Sequence, residues 1–501
     1  MTTFRQIQRS VLLGFSCLLL AASAFGLQPR SEPRDLWYTL WIDGVRAGYS
    51  RQSVTIAEDS ITTASHTSLA IKRGPVEMAI TMEQRFVESH DGRPIWASSE
   101  QRIGAMPLRT LVEFKDDGLL VTRTQGETTS VESLALPSEQ WLAPAAAERY
   151  VRQRLESGAT EIVVRTLDPS AGIAPITITR TILGDDTEVV NGKTIKTRLA
   201  RSSTSYMPGV EMIEEFDLEG TTVRTETPMA GMSIESRISD ERAALADVKG
   251  GAEVMVRTLI KPDRPIRNAR QTTRASLALS LRSGTLPRFP SAGAQRVEPI
   301  DASTARLLID LSSPQPASEG DIANEAYLAS TLACGSDDEL IQHLAARAVK
   351  GVGESRIERA EAMRRFVRSY LDRKSLDVGF ASASETARSR SGDCTEHAVL
   401  LAAMLRADGI PSRGVTGLVY VDEFLGEAGV FGYHMWTQAL LDVGGVPTWV
   451  DLDAAIDDAR ASDATHIACA ISTYADSETI EAYQSIIPLM GSLQIKIESI
   501  E

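Results

Sequence analysis

Cys394, His434 and Asp453 are the residues of this 501-residue chain whose types and order suit an activated nucleophile. A thiol attacks, an imidazole moves the proton and a carboxylate orients the imidazole. Cys394 stands in Gly392-Asp393-Cys394-Thr395-Glu396-His397, and His434 in Gly432-Tyr433-His434-Met435-Trp436. Asp453 closes Trp449-Val450-Asp451-Leu452-Asp453. Thiols attack acyl carbons as thiolates, so the chain must also supply a setting for the sulfur.

That setting is written into the flanking residues. Asp393 is a good helix N-cap, and Glu396 three positions later completes a capping box, which puts Cys394 at the first helical position. The positive end of a helix and its unpaired N–H groups favour a thiolate. Ala398 to Leu405 is apolar without a break, the pattern of a helix enclosed by protein, and Gly409 and Pro411 end it. His434 falls on a strand where it shares a face with Trp436 and Gln438, so the indole flanks the imidazole. The strand returns through Gly444-Gly445 as an antiparallel hairpin. With those two as the central turn residues, Asp453 is a diagonal neighbour of His434, and a shorter turn would favour Asp451 instead.

These blocks, together with Gly409-Ile410-Pro411-Ser412-Arg413, resemble the bacterial branch of the transglutaminase-like superfamily, over Glu325 to Ile467. The resemblance implies a papain-like α+β fold with Cys394 as nucleophile, His434 as base and Asp453 as orienting acid. Ala454-Ala455 stands where family members commonly carry Pro-Thr. The chemistry expected is acyl transfer through a Cys394 thioester on a protein or peptide substrate, most simply hydrolysis of peptide or amide bonds. Protein-glutamine gamma-glutamyltransferase activity is the alternative, with an amine in place of water. The backbone N–H of Cys394 suits an oxyanion hole. No cofactor and no metal are expected.

The rest of the chain bounds this reading. Arg5 and Arg9, the apolar run Val11 to Leu20 and Ala22-Ser23-Ala24 read as a signal peptide over residues 1–24, with export to the periplasm or medium and no membrane-spanning segment afterwards. Its removal takes two arginines and no acids, so the formal charge of −15 becomes −17. Such acidity, without a basic run, excludes nucleic acid as a partner. Residues 25–242 read as an antiparallel β domain, on strand-like runs and the turn pairs Asp43-Gly44, Asp91-Gly92, Asp117-Gly118 and Asn191-Gly192. One helix, Pro144 to Ser157, interrupts it. Residues 243–318 read as a small β segment or linker with runs at Val254 to Ile260, Ser276 to Leu281 and Ala305 to Ile309, and residues 319–501 as the catalytic domain. Its early helices are Glu339 to Val349 and Arg356 to Leu371, the second with Ile357, Met363 and Val367 on one side.

Cys334, Cys394 and Cys469 remain after processing, and a Cys334–Cys469 disulfide would leave Cys394 free. His397, one turn from Cys394, reads as core or substrate lining. The spacings Cys394/His397 and His466/Cys469 lack a closed zinc pattern, and the acids from Asp451 to Asp463 lack a calcium loop. A contrasting reading makes the thiol domain idle architecture beside a β region that binds a partner.

Overall fold

The computed structural model describes residues 33–501 except 74–75, 104–105, 127, 191, 230, 247, 249–250, 283, 374–380, 457–459 and 476–485. The signal-peptide reading, Asn191 of one turn pair and Asp457 and Asp458 of the acidic cluster lie outside these residues. Two compact units divide the rest, with the break between Val254 and Met255.

The first unit is antiparallel β. Strands from Arg34–Ile42 to Thr128–Leu134 run as one meander and those from Glu161–Thr166 to Met232–Ser239 as another. Arg34–Ile42 pairs with Met232–Ser239, which joins the two, and Ala252–Glu253 adds in parallel to Ile61–Arg73, giving fifteen strands. Asp43 and Gly44 both take positive φ, 48° and 75°, as a two-residue hairpin requires. At the expected Asp117-Gly118 turn, Lys115 pairs with Gly118, so the turn is Asp116-Asp117 and the glycine opens the next strand. The helix is Pro144–Glu156, with Ala147, Val151 and Leu155 buried.

In the second unit, strands β1 (Arg274–Leu281), β2 (Gln295–Pro299) and β3 (Thr304–Asp310) precede a single helical turn, Glu319–Ile322, and four longer helices: α1 (Glu339–Ala348), α2 (Arg356–Tyr370), α3 (Ala383–Ser389) and α4 (Cys394–Ala407). Strands β4 (Ser412–Phe424), β5 (Glu427–Val443), β6 (Val446–Leu452), β7 (Ile467–Ser472) and β8 (Leu493–Ile500) follow. They form two antiparallel sheets, ordered β2-β3-β1-β8 and β6-β5-β4-β7. The stretch read as a small β segment thus shares a sheet with the last strand of the chain.

Val254 to Ile260 is not a strand. The Thr258 hydroxyl and N–H both bond Met255 O, at 2.8 and 3.1 Å, closing a 3-10 turn over Val256–Thr258, and only Ile260 makes a β-bridge, to Phe431. Ile357, expected on the apolar face of α2, is 46% exposed; Ala360, Met363 and Val367 carry that face.

Helix α4 is the centre of the helical core. Every residue from Cys394 to Arg406 is buried, as an unbroken apolar run demands. It packs with α1, α2 and α3 and lies on β5, where the Thr437 hydroxyl bonds Ala398 O at 2.8 Å. The buried Arg406 is neutralised in hydrogen-bonding terms by the carbonyls of Ala329, Ser412 and Thr473, at 2.6, 2.8 and 2.7 Å.

Close approach of the strands around β4 requires glycine at 417. A Cβ there would lie 2.1 Å from Ile467 O and 2.7 Å from the Trp436 ring, and Gly417 is the residue paired with His434. Gly417→Ala is therefore expected to lower stability by about 1–3 kcal/mol through overpacking, read by chemical denaturation with tryptophan fluorescence. An unchanged midpoint would contradict the close packing of β4, β5 and β7.

Candidate active site

Gly392 starts the site by having no side chain. A Cβ at 392 would stand 2.2 Å from Glu396 Cβ, and Glu396 must fold back there because its Oε2 accepts the Asp393 N–H at 2.9 Å. Asp393 Oδ1 accepts the Thr395 N–H at 3.0 Å, completing the capping box. Glu396 Oε1 also takes the Ala381 N–H, at 3.2 Å. Cys394 is consequently the first residue of a capped, enclosed helix, with its side chain buried.

The imidazole arrives on β5. Gly444 and Gly445 take φ of 64° and 88°, and Val443 pairs with Val446, so the hairpin has the register that two central glycines dictate. Thr437 pairs with Leu452, and Asp453 follows directly as the chain leaves β6. His434 Nε2 lies 2.6 Å from Asp453 Oδ2, which leaves Nδ1, otherwise unpartnered, as the nitrogen available to Cys394. Burial works against a charged imidazole here, but Asp453, by charge and hydrogen bond, and then Cys394 outweigh it and raise the His434 pKa to about 9. Asp453 is itself pushed up by burial and pulled much further down by His434 and His466, well below the usual carboxylate range.

Asp451, the alternative acid, has other work. Its Oδ1 accepts Trp436 Nε1 at 2.7 Å and Gln438 Nε2 at 2.8 Å. Trp436 in turn stacks on His434, with centroids 6.0 Å apart and planes at 22°. One acid holds the His434 imidazole and its neighbour holds the indole stacked on it.

His397 turns away from proton transfer. Its Nδ1 lies 2.5 Å from Asp393 O, and burial lowers its pKa to about 4, so it is neutral at pH 7. The expected disulfide is absent: Cys334, Cys394 and Cys469 are all free and buried. Cys334 packs in the helical core, whereas Cys469 sits on β7 with Tyr433 as its neighbour. Burial raises the thiol of Cys334, to about 11, and that of Cys469 further still.

The residue that reading by spacing passed over is His466. Its spacing in the sequence relates it to Cys469, yet its Nε2 lies 3.2 Å from Asp453 Oδ2. His434, Asp453 and His466 bring ligand-type atoms within 4.8 Å of one another, a grouping that suits a metal by residue type. Direct hydrogen bonds already close that space, and the pKa of His466 is raised to about 10 against burial by Asp463 and Asp453, so an ion would have to displace two protons. No short sequence pattern announces His466, because Asp453 and His466 meet through a loop and a neighbouring strand.

Residues 342–454 match the model of the transglutaminase-like superfamily. This chain carries a transglutaminase-like domain. The match runs from within α1 to the residue after Asp453 and so contains Cys394, His434 and Asp453, while His466 lies beyond it. No curated protein matches the chain. Among solved structures, a beta-barrel-like protein of a domain of unknown function from Brucella abortus is similar over 42% of this chain and 96% of its own, at 12% identity and a TM-score of 0.33. A candidate cysteine protease from Cytophaga hutchinsonii is similar over 46% and 89%, at 14% identity and 0.28. The periplasmic domain of TgpA from Pseudomonas aeruginosa, bound to ethylmercury, is similar over 39% and 87%, at 14% and 0.25.

The two raised imidazoles, His434 and His466, make the stability of the second unit depend on pH. Folded His434 and His466 release protons near 9 and 10, against 6.5 when unfolded. Above that lower value the folded chain binds more protons than the unfolded chain, so stability fully present below it is lost as pH rises through the folded values. The Tm should fall between about pH 7 and 10, and fall less in Asp453→Asn, where both partnerships are weakened. Parallel Tm curves for the two chains would contradict the shared carboxylate.

Proposed function

We propose that the protein is an exported thiol enzyme that transfers acyl groups through a thioester on Cys394, with water as the usual acceptor, and so hydrolyses peptide or amide bonds. The observation that carries this reading is the orientation of His434: Nε2 is locked on Asp453 at 2.6 Å, and the remaining nitrogen is left for the sulfur at the start of α4. Export rests on the apolar N-terminal run behind Arg5 and Arg9. Among the described residues no helix is long and apolar enough to cross a membrane.

In the proposed reaction the Cys394 proton already rests on His434 Nδ1, on the imidazole that Asp453 keeps protonated, and the sulfur attacks the acyl carbon as a thiolate. The carbonyl oxygen gains the charge and accepts the Cys394 N–H, a donor with no intrahelical partner because it opens the helix. His434 returns its proton to the leaving nitrogen, the C–N bond breaks and a thioester remains. Water then attacks, His434 takes and keeps its proton, and the sulfur leaves as the thiolate, which restores the starting pair. Asp453 keeps the imidazole in one orientation and supports its charge throughout, without itself taking the proton.

Peptide amides incubated with the processed protein, with and without a primary amine, test the reading by mass spectrometry. The expected product is the free acid in both mixtures, and His434→Ala should lower its rate by about 10²- to 10⁴-fold, the worth of a positioned acid-base. A product carrying the amine in place of acid would overturn hydrolysis in favour of cross-linking. Equal rates in the parent and His434→Ala would overturn the proposed base.

A further inference from the structure

Asp453 serves two imidazoles, not one. Its Oδ2 lies 2.6 Å from His434 Nε2 and 3.2 Å from His466 Nε2. Its Oδ1 accepts the N–H groups of Ala455, at 2.7 Å, and Ile456, at 3.3 Å. The backbone is pinned as well: Asp453 N–H donates to Ala461 O at 2.8 Å, and Arg364 Nη1 to Asp453 O at 3.1 Å.

His466 is itself held from the far side. Its Nδ1 is 3.4 Å from Asp463 Oδ1, and Asp463 Oδ2 is 2.8 Å from Arg270 Nη1. The Thr465 N–H and hydroxyl fix Asp463 Oδ1 at 2.8 and 2.5 Å. Trp436 stacks its face on His434 and meets His466 edge-on, with centroids 5.1 Å apart at 88°. His466 and Asp463 are buried, at 6% and 3% exposure, so Asp453, His466 and Asp463 alternate in charge away from water, and the half-buried Arg270 ends the chain. Buried ions of this kind are tolerated only when each is paired and hydrogen-bonded.

We propose that His466 is a positioning residue for the acyl-transfer reaction: it clamps the Asp453 carboxylate so that His434 keeps Nδ1 on Cys394, and Asp463 and Arg270 fix the clamp. The inference rests on the thiol-enzyme reading above. A carboxylate torsion is broad and nearly two-fold, so a single imidazole does not define it. The Ala455 and Ile456 N–H groups hold Oδ1, and a second donor on Oδ2, from the residue that precedes β7, restricts the freedom that remains. Three of the four groups, His466, Asp463 and Arg270, lie outside the segment matched by the family model.

His466→Gln and His466→Leu test the clamp as a charge-matched pair, since both lose the imidazolium and only Gln keeps an N–H donor. Imidazole ¹⁵N resonances give the titration of His434, and a peptide amide gives kcat and KM. In the Leu chain His434 should bind its proton about tenfold more weakly than in the Gln chain, and kcat should fall by about 10- to 100-fold with KM unchanged, the order seen when the hydrogen-bond partner of a metal-bound imidazole is removed. Gln should restore most of the rate. Equal His434 titration and equal kcat in the two chains would overturn the proposal. Asp463→Asn covers a Leu chain that fails to fold: His466, which titrates near 10 in the parent, should lose its proton at lower pH, and an unmoved titration would count against the clamp. A difference in His434 titration with no turnover in any chain would count against acyl transfer and leave the clamp standing.

Discussion

The carboxylate of Asp453 is the constraint on which the site depends. Four donors close it in, two imidazole N–H groups on Oδ2 and two backbone N–H groups on Oδ1, in a setting where it is 2% exposed. An isolated carboxylate there would shed its charge by taking a proton. With its donors in place it stays ionised and raises His434 to about 9. The charge on one buried oxygen thus decides the protonation and the direction of the His434 imidazole, and through it which nitrogen is left unpartnered.

Two glycines let the backbone bring these groups together. Gly392 makes room for Glu396 to fold back on the N-cap, and Gly417 lets β4 pass against Ile467 and Trp436 directly opposite His434. Both are places where a single methyl group would meet atoms closer than 3 Å. The glycine before Cys394 is therefore part of the helix cap and not a flexible joint.

Local rules account for what was legible in the residues alone. The capping box, the enclosed helix α4 and the Gly444-Gly445 hairpin each follow from interactions within a few positions, and together they predict that Asp453 is nearer His434 than Asp451 is. The failures have the same origin. His466 reaches Asp453 through tertiary packing, so its spacing to Cys469 carried the wrong comparison. A count of thiols points to a Cys334–Cys469 bridge, whereas the fold places one in the helical core and the other on β7. Val254 to Ile260 has β-branched residues enough for a strand, yet the Thr258 side chain closes a turn on Met255 and wins. The sheet of β1, β2, β3 and β8 joins residues more than two hundred positions apart, a pairing that no window along the chain contains.

The covalent step is open to direct observation. Intact-protein mass spectrometry after acid quench of the enzyme with a peptide amide should show the mass of one acyl group, mapped by digestion to Cys394, and Cys394→Ala should show neither the adduct nor turnover. An acyl group on a different residue, or turnover that persists in Cys394→Ala, would contradict Cys394 as the nucleophile.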